Sequence, residues 1–218
     1  MDIVFKLQYL YMALLLLASV IGGYRYKQFD KPTKFFYFFI CAACLTEIIG
    51  YISSMKWKGN MPIYSIYSLL EFGVLSLYFN FSIDSFKARN IGIYIAIGGI
   101  LLGILNIIFL QPLNSYNSYY LFFEAIGIIT MCLFSFFRML LREEGLVLYT
   151  YPHFWFAAVL AFFWSITFLN WGLYDYFYDH EKAKAWIVSI SNISVNILTY
   201  ATITGIFFLY PKMKPRYV

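Results

Sequence analysis

Seven apolar segments, each about as long as a membrane-crossing helix, dominate the sequence. A helix needs roughly 20 mostly apolar residues to cross the hydrocarbon core of a bilayer. The segments cover residues of about 3–24, 34–54, 62–81, 90–110, 118–141, 152–174 and 185–210. Only 12% of the residues are charged and 62% are hydrophobic, which is too little charge for the surface of a soluble domain. We therefore predict an all-α integral membrane protein, a single bundle of seven transmembrane helices that spans residues 1–218.

The same composition excludes several other classes of protein. A secreted disulfide scaffold does not fit a chain with 3 cysteines, and the long apolar runs exclude a nucleotide-binding α/β enzyme. The net charge of +5 is explained by basic loops that meet anionic lipid headgroups. Membrane lipids are therefore predicted partners, and a nucleic acid is not.

The distribution of basic residues predicts the orientation. One side of the membrane has five basic residues: Lys6, Lys56, Lys58, Lys182 and Lys184. The other side has eleven: Arg25, Lys27, Lys31, Lys34, Lys87, Arg89, Arg138, Arg142, Lys212, Lys214 and Arg216. Basic residues concentrate on the cytoplasmic side, so the N-terminus is predicted outside and the C-terminus in the cytoplasm.

Three acidic residues fall inside the predicted spans, namely Glu47, Glu71 and Glu124. An ionisable group at membrane depth costs several kcal/mol unless it is paired, protonated or hydrated, so it marks a functional site by default. Helical rise places all three in the outer half of the membrane. The spans carry no lysine or arginine at that depth to neutralise them.

Polar side chains recur on single faces of several predicted spans. Steps of three or four residues join Glu47 to Tyr51 in the second span, and Asn192 to Asn196 in the seventh. Lipid cannot satisfy such a polar stripe, so it faces protein or water. We predict one outward-facing cavity with an acidic, polar lining. Its predicted ligand-binding residues are Glu47, Tyr51, Tyr67, Glu71, Glu124, Asn170, Asn192 and Asn196.

Familiar membrane chemistries do not fit the sequence. A retinal protein needs a lysine in the middle of the seventh span, where this chain has Ser, Asn and Thr. An intramembrane zinc site needs several ligands around a common cavity, whereas the 2 histidines, His153 and His180, fall on opposite predicted faces. We therefore predict no cofactor, no metal site and no catalytic residue.

Three functions stay open. The first is a ligand-binding or sensory protein, which binds a small cationic or amphiphilic molecule in the outward cavity and signals to a cytoplasmic partner. The second is a proton- or cation-coupled transporter of small molecules; the apolar inner halves of several spans count against it. The third is a lipid-modifying enzyme with paired carboxylates as acid and base, for which the sequence supplies no nucleophile. An enzyme is thus the less favoured interpretation.

Three stretches also carry a family resemblance: YSIYSLLEF at 64–72, Glu47 with Gly50, and WIVSISN at 186–192. In these the chain resembles a group of small seven-helix inner-membrane proteins of Bacteroidota, and the similarity extends over its whole length. The resemblance implies a bacterial protein of the cytoplasmic (inner) membrane. It implies no activity.

Overall fold

The computed structural model of the chain describes residues 2–57, 59–115, 117–142, 147–180 and 185–213. Some of the charges that predict the orientation lie outside the described residues: Lys58, Lys182, Lys184, Lys214 and Arg216.

Within the described residues every regular element is a helix, and seven of the helices are long and apolar enough to cross a membrane. This confirms the predicted all-α, seven-helix class and indicates a multi-pass membrane protein. The orientation of its termini stays a prediction. The helices are α1 (Asp2–Arg25), α2 (Lys31–Trp57), α3 (Met61–Ser82), α4 (Asp84–Arg89), α5 (Ile91–Phe109), α6 (Ser118–Arg142), α7 (Pro152–His180) and α8 (Ala185–Leu209).

Two features of the helices differ from the prediction. The short helix α4 was not predicted, because its six residues are mostly polar and form no apolar run. Asn90 follows the last residue of α4, and its φ of 54° is left-handed, a conformation that Asn tolerates better than most residues at a helix end. The sixth predicted span, which ended at residue 174, continues as α7 to His180.

Six of the long helices form a closed ring in the order α1, α2, α3, α6, α7, α8, with α8 returning to α1. Helix α5 lies outside the ring against α3 and α6. Small residues allow this contact: a Cβ atom on Gly92 would lie 2.5 Å from the Asn80 Cβ, and one on Gly99 would lie 2.0 Å from the Phe72 ring. Such close approach is how membrane helices gain packing energy in the absence of a hydrophobic driving force.

Aromatic side chains fill one end of the ring. Phe36, Phe156, Phe207 and Tyr78 are almost completely buried there, and the Phe36 and Phe156 ring centroids are 4.3 Å apart. We call this the basic end, because Arg25, Lys34, Lys87, Arg89 and Lys212 lie at the same ends of the helices. The opposite end, where α1 begins, is called the mouth end.

Candidate functional site

A cavity of about 580 Å³ lies inside the ring, in the half toward the mouth end. All six ring helices contribute to its lining, and it reaches Asn60, just before α3, and Asn117, just before α6. Its wall is mostly apolar, with several aromatic rings and a smaller number of carboxyl, amide and hydroxyl groups. Among the described lining residues there is no lysine, arginine or histidine. The cavity is therefore an aromatic chamber whose charged groups are acidic.

Glu47 of α2 lines the cavity and is half-buried. The Tyr64 hydroxyl donates a hydrogen bond to its Oε2 at 3.2 Å, and the Tyr11 hydroxyl approaches the same carboxyl from α1. Hydrogen bonds to a carboxylate are stronger than those between neutral groups. This carboxyl is thus held in place by side chains from two neighbouring helices.

Glu71 of α3 also lines the cavity, where its side chain is only 8% exposed. The Tyr67 hydroxyl, one turn earlier on the same helix, approaches its carboxyl. Tyr200 of α8 lies within electrostatic range of Glu71 and Glu47, and its ring centroid is 5.6 Å from that of Tyr11. Phenol hydroxyls thus surround both cavity carboxyls.

Glu124 of α6 lies behind the cavity wall. Its side chain is 0% exposed, and it interacts electrostatically with Glu71. Neither of its oxygens, nor the hydroxyl of the neighbouring Tyr120, has a hydrogen-bond partner within the described part of the chain. The three predicted acids therefore occupy different positions: Glu47 and Glu71 line the cavity, and Glu124 backs onto Glu71.

The remaining predicted residues divide between the cavity and other surroundings. Asn192, Asn196 and Tyr67 line the cavity. Asn170 is buried but does not line the cavity, and it accepts a hydrogen bond from Ser191 at 3.1 Å. Tyr51 points away from the bundle, with 51% of its surface exposed.

Many lining residues were not among those predicted, and they include Tyr11, Trp164, Thr167 and Tyr200. The indole N–H of Trp164 and the hydroxyl of Thr167 are buried and have no hydrogen-bond partner in the described residues. The three aromatic residues of this set could have been recognised from their depth in the membrane. Tyrosine and tryptophan favour the membrane interface, so the same residues in the middle of a span indicate a polar environment inside the bundle.

A second polar cluster lies at the basic end, next to the aromatic side chains that fill this end of the ring. His153 Nε2 is 2.8 Å from Asp30 Oδ2, and His153 Nδ1 is 3.2 Å from the Tyr78 hydroxyl. The Tyr210 hydroxyl accepts a hydrogen bond from the backbone N–H of Asp30 at 3.2 Å and contacts the Thr33 hydroxyl. We call these five residues the basic-end cluster; it joins α2, α3, α7 and the end of α8.

Asp30 is the ionised member of this cluster. Burial alone would raise its pKa, but the hydrogen bond and charge of His153, together with hydrogen bonds from Thr33, outweigh burial and hold the pKa well below its usual range. The carboxylate is therefore ionised at neutral pH. It ties the start of α2 to the start of α7.

Among the described residues, no group of three or more His, Cys, Asp or Glu side chains is placed to hold a metal ion. The fold and cavity define a seven-helix, multi-pass membrane protein with an acidic, aromatic chamber. No protein-family model, curated protein or solved structure matches the chain.

Proposed function

We propose that the protein is a ligand-binding, receptor-like membrane protein whose cavity takes a small organic cation with an apolar body. One observation carries the proposal: Glu47 and Glu71 line the same chamber, and the rest of its wall is largely aromatic and apolar. The volume of about 580 Å³ falls within the range that small-molecule sites usually occupy.

The chemistry of the wall favours a cation over a neutral or anionic ligand. Carboxylates attract a positive charge, and aromatic faces such as those of Tyr11, Trp164 and Tyr200 attract it through the ring quadrupole. An anion would meet two acids and no basic side chain among the described lining residues. An organic ammonium group with an apolar substituent satisfies both the carboxyls and the apolar surface.

The proposed signal leaves through the helices that line the cavity. Helices α2, α3, α7 and α8 all contribute lining residues, and they, or their ends, meet again in the basic-end cluster. A shift of these helices on ligand binding would therefore change the basic end. We infer that the mouth end faces outside, and that the basic end faces a cytoplasmic partner at the inner membrane of a bacterium.

The binding proposal is tested by thermal unfolding of the purified protein with tetraethylammonium, choline and phenethylammonium. The neutral control is 3,3-dimethylbutanol, which has the shape of choline without its charge. We expect at least one cation to raise the melting temperature, and the neutral compound to have no effect. The stabilisation should be lost in Glu71→Gln and reduced in Glu47→Gln.

Tyr51→Phe is the matched control variant, because Tyr51 shares α2 with Glu47 but its side chain lies away from the cavity. Stabilisation by the cation should be unchanged in this variant. Equal effects of choline and its neutral analogue, or full stabilisation in both glutamine variants, would contradict the proposal.

A proton- or cation-coupled transporter is the second candidate, and one observation favours it. Polar groups are buried in the basic half as well. Ser76 and Asn80 of α3 are 0% exposed, and between them on the same helix stands Tyr78, a member of the basic-end cluster. A transported solute needs polar groups on both sides of its site. Uptake of labelled tetraethylammonium into proteoliposomes, with and without a pH gradient, distinguishes the two functions.

A further inference from the structure

The pairing of Glu71 with Glu124 is not explained by ligand binding alone. Glu124 is 0% exposed and Glu71 8% exposed, and the two carboxyls interact electrostatically. The titratable groups around this pair are phenols and one more acid. Tyr67 of α3, Tyr120 of α6 and Tyr200 of α8 interact electrostatically with its members. Tyr11 of α1 in turn interacts with Tyr67, and Glu47 of α2 with Tyr200.

Two carboxylates this deeply buried are not both ionised. Removing a charge from water is strongly unfavourable without a partner, and a neighbouring like charge adds repulsion. None of the electrostatic neighbours named above is a cation in the described part of the chain. The pair must therefore hold protons whenever no positive charge lies in the cavity.

The two acids differ in what can reach them. Glu71 lines the cavity, whereas Glu124 does not. Both Glu124 oxygens lack a hydrogen-bond partner within the described residues, which is unfavourable for a carboxylate and less so for a neutral acid. A ligand in the cavity can thus compensate charge on Glu71, while Glu124 stays protonated.

We propose that the cavity exchanges a proton for its organic cation, with Glu71 as the exchanging group and Glu124 as its permanently neutral neighbour. Without ligand, Glu71 carries a proton. On binding, the O–H bond of Glu71 breaks, the proton leaves to water at the mouth, and the carboxylate pairs with the cation. The net charge inside the chamber is then unchanged. This inference rests on the proposed function and adds the ion that is coupled to binding.

Two other buried groups support a ligand at this depth. The Trp164 indole N–H and the Thr167 hydroxyl line the cavity, are at least nine-tenths buried, and have no partner among the described residues. Buried donors are normally satisfied. They are neutral, so they can bind a polar atom of the ligand without altering the charge balance that Glu71 sets.

The test is calorimetric titration of the purified protein with tetraethylammonium at several pH values, in pairs of buffers that differ in ionisation enthalpy. The buffer dependence of the heat gives the number of protons released. We expect about one proton per bound cation at acidic pH, and an affinity that rises up to about tenfold per pH unit until Glu71 is ionised in the free protein.

Three variants assign the proton. Glu71→Gln should bind weakly, release no proton and show no such pH dependence. Glu124→Gln should keep both the release and the pH dependence, because the amide replaces an acid that stays neutral. Glu47→Gln should bind more weakly but keep the pH dependence. As a second readout in the wild type, the infrared band of a protonated carboxylic acid should weaken on binding, and it should still weaken in Glu124→Gln.

The outcomes separate the inference from the function on which it rests. Cation binding without proton release would overturn the exchange and leave the binding function standing. Release that survives Glu71→Gln but is lost in Glu124→Gln would overturn the assignment of the two acids. If none of tetraethylammonium, choline and phenethylammonium binds at any pH, the proposed function and this inference fail together.

Discussion

Asp30 performs two separable tasks with one carboxylate at the basic end. Its Oδ1 accepts a hydrogen bond from the backbone N–H of Thr33 at 3.0 Å, which caps the start of α2. Its Oδ2 lies 2.8 Å from the Nε2 of His153. Asn caps a helix about as well as Asp, so Asp30→Asn removes the ionic contact and keeps the cap. Asp30→Ala removes both.

The structure sets the size of each loss. Replacing a helix cap by alanine costs about 1 kcal/mol. A hydrogen bond to a charged group is worth about 1.5–3 kcal/mol, but the Asp30 side chain is 46% exposed, and solvent screening reduces this to about 1–2 kcal/mol. We therefore expect Asp30→Asn to lower the free energy of unfolding by about 1–2 kcal/mol, and Asp30→Ala by about 2–3 kcal/mol.

Acid should remove the same contribution from the wild type. The pKa of Asp30 is lower in the folded protein than in the unfolded chain, so its stabilisation is full above the unfolded value of about 3.9 and is lost as the pH falls below it. Unfolding in detergent, followed at several pH values between about 7 and 3, should show the wild type approaching Asp30→Asn in stability. Equal stability of the Asn and Ala variants, or a wild-type advantage over Asn that survives acid, would refute this account.

Three further predictions concern packing, the basic-end cluster and orientation. Gly99→Ala should destabilise the protein by about 1–3 kcal/mol, because its Cβ would meet the buried Phe72 ring at 2.0 Å, whereas Gly98→Ala, with nothing within 4 Å, should not. Equal melting temperatures of these two variants would contradict the packing of α5. Tyr78→Phe should cost about 1–3 kcal/mol because it leaves the buried His153 Nδ1 without its hydroxyl; Tyr94→Phe, at a 69% exposed position, is the neutral control in the same melting assay. In a cysteine-free background, a membrane-impermeant maleimide applied to intact cells should label Leu113→Cys at the mouth end and not Lys87→Cys at the basic end. The reverse labelling pattern would invert the proposed topology.

The number and type of helices could be predicted from the sequence because the membrane imposes them locally. Backbone groups in hydrocarbon must be satisfied within the segment, so a run of about 20 apolar residues is already a helix of known length. The same local reasoning identified Glu47, Glu71 and Glu124 as unusual, because their environment follows from their position within a span. It missed α4, whose polar residues carry no such signal.

The composition of the cavity could not be predicted, because it depends on how the helices are arranged around one another. Helical periodicity placed Tyr51 and Glu47 on the same face of the second span, yet of these two only Glu47 lines the cavity. Helical rise placed all three acids in the outer half but did not say which of them meet; the ring order places α3 against α6, and Glu124 therefore meets Glu71. The depth of a residue follows from its position along its own helix, whereas its contacts depend on how two helices pack together.

The basic-end cluster shows the same division most plainly. Asp30 and His153 are separated by 123 residues, and each is an ordinary helix-start residue when its own segment is read alone. Which segments enter the membrane follows from hydrophobicity summed along a single stretch of chain, so it can be read from the amino-acid order alone. Which polar groups meet inside depends on the packing between helices, where side-chain shape and small residues select the neighbours.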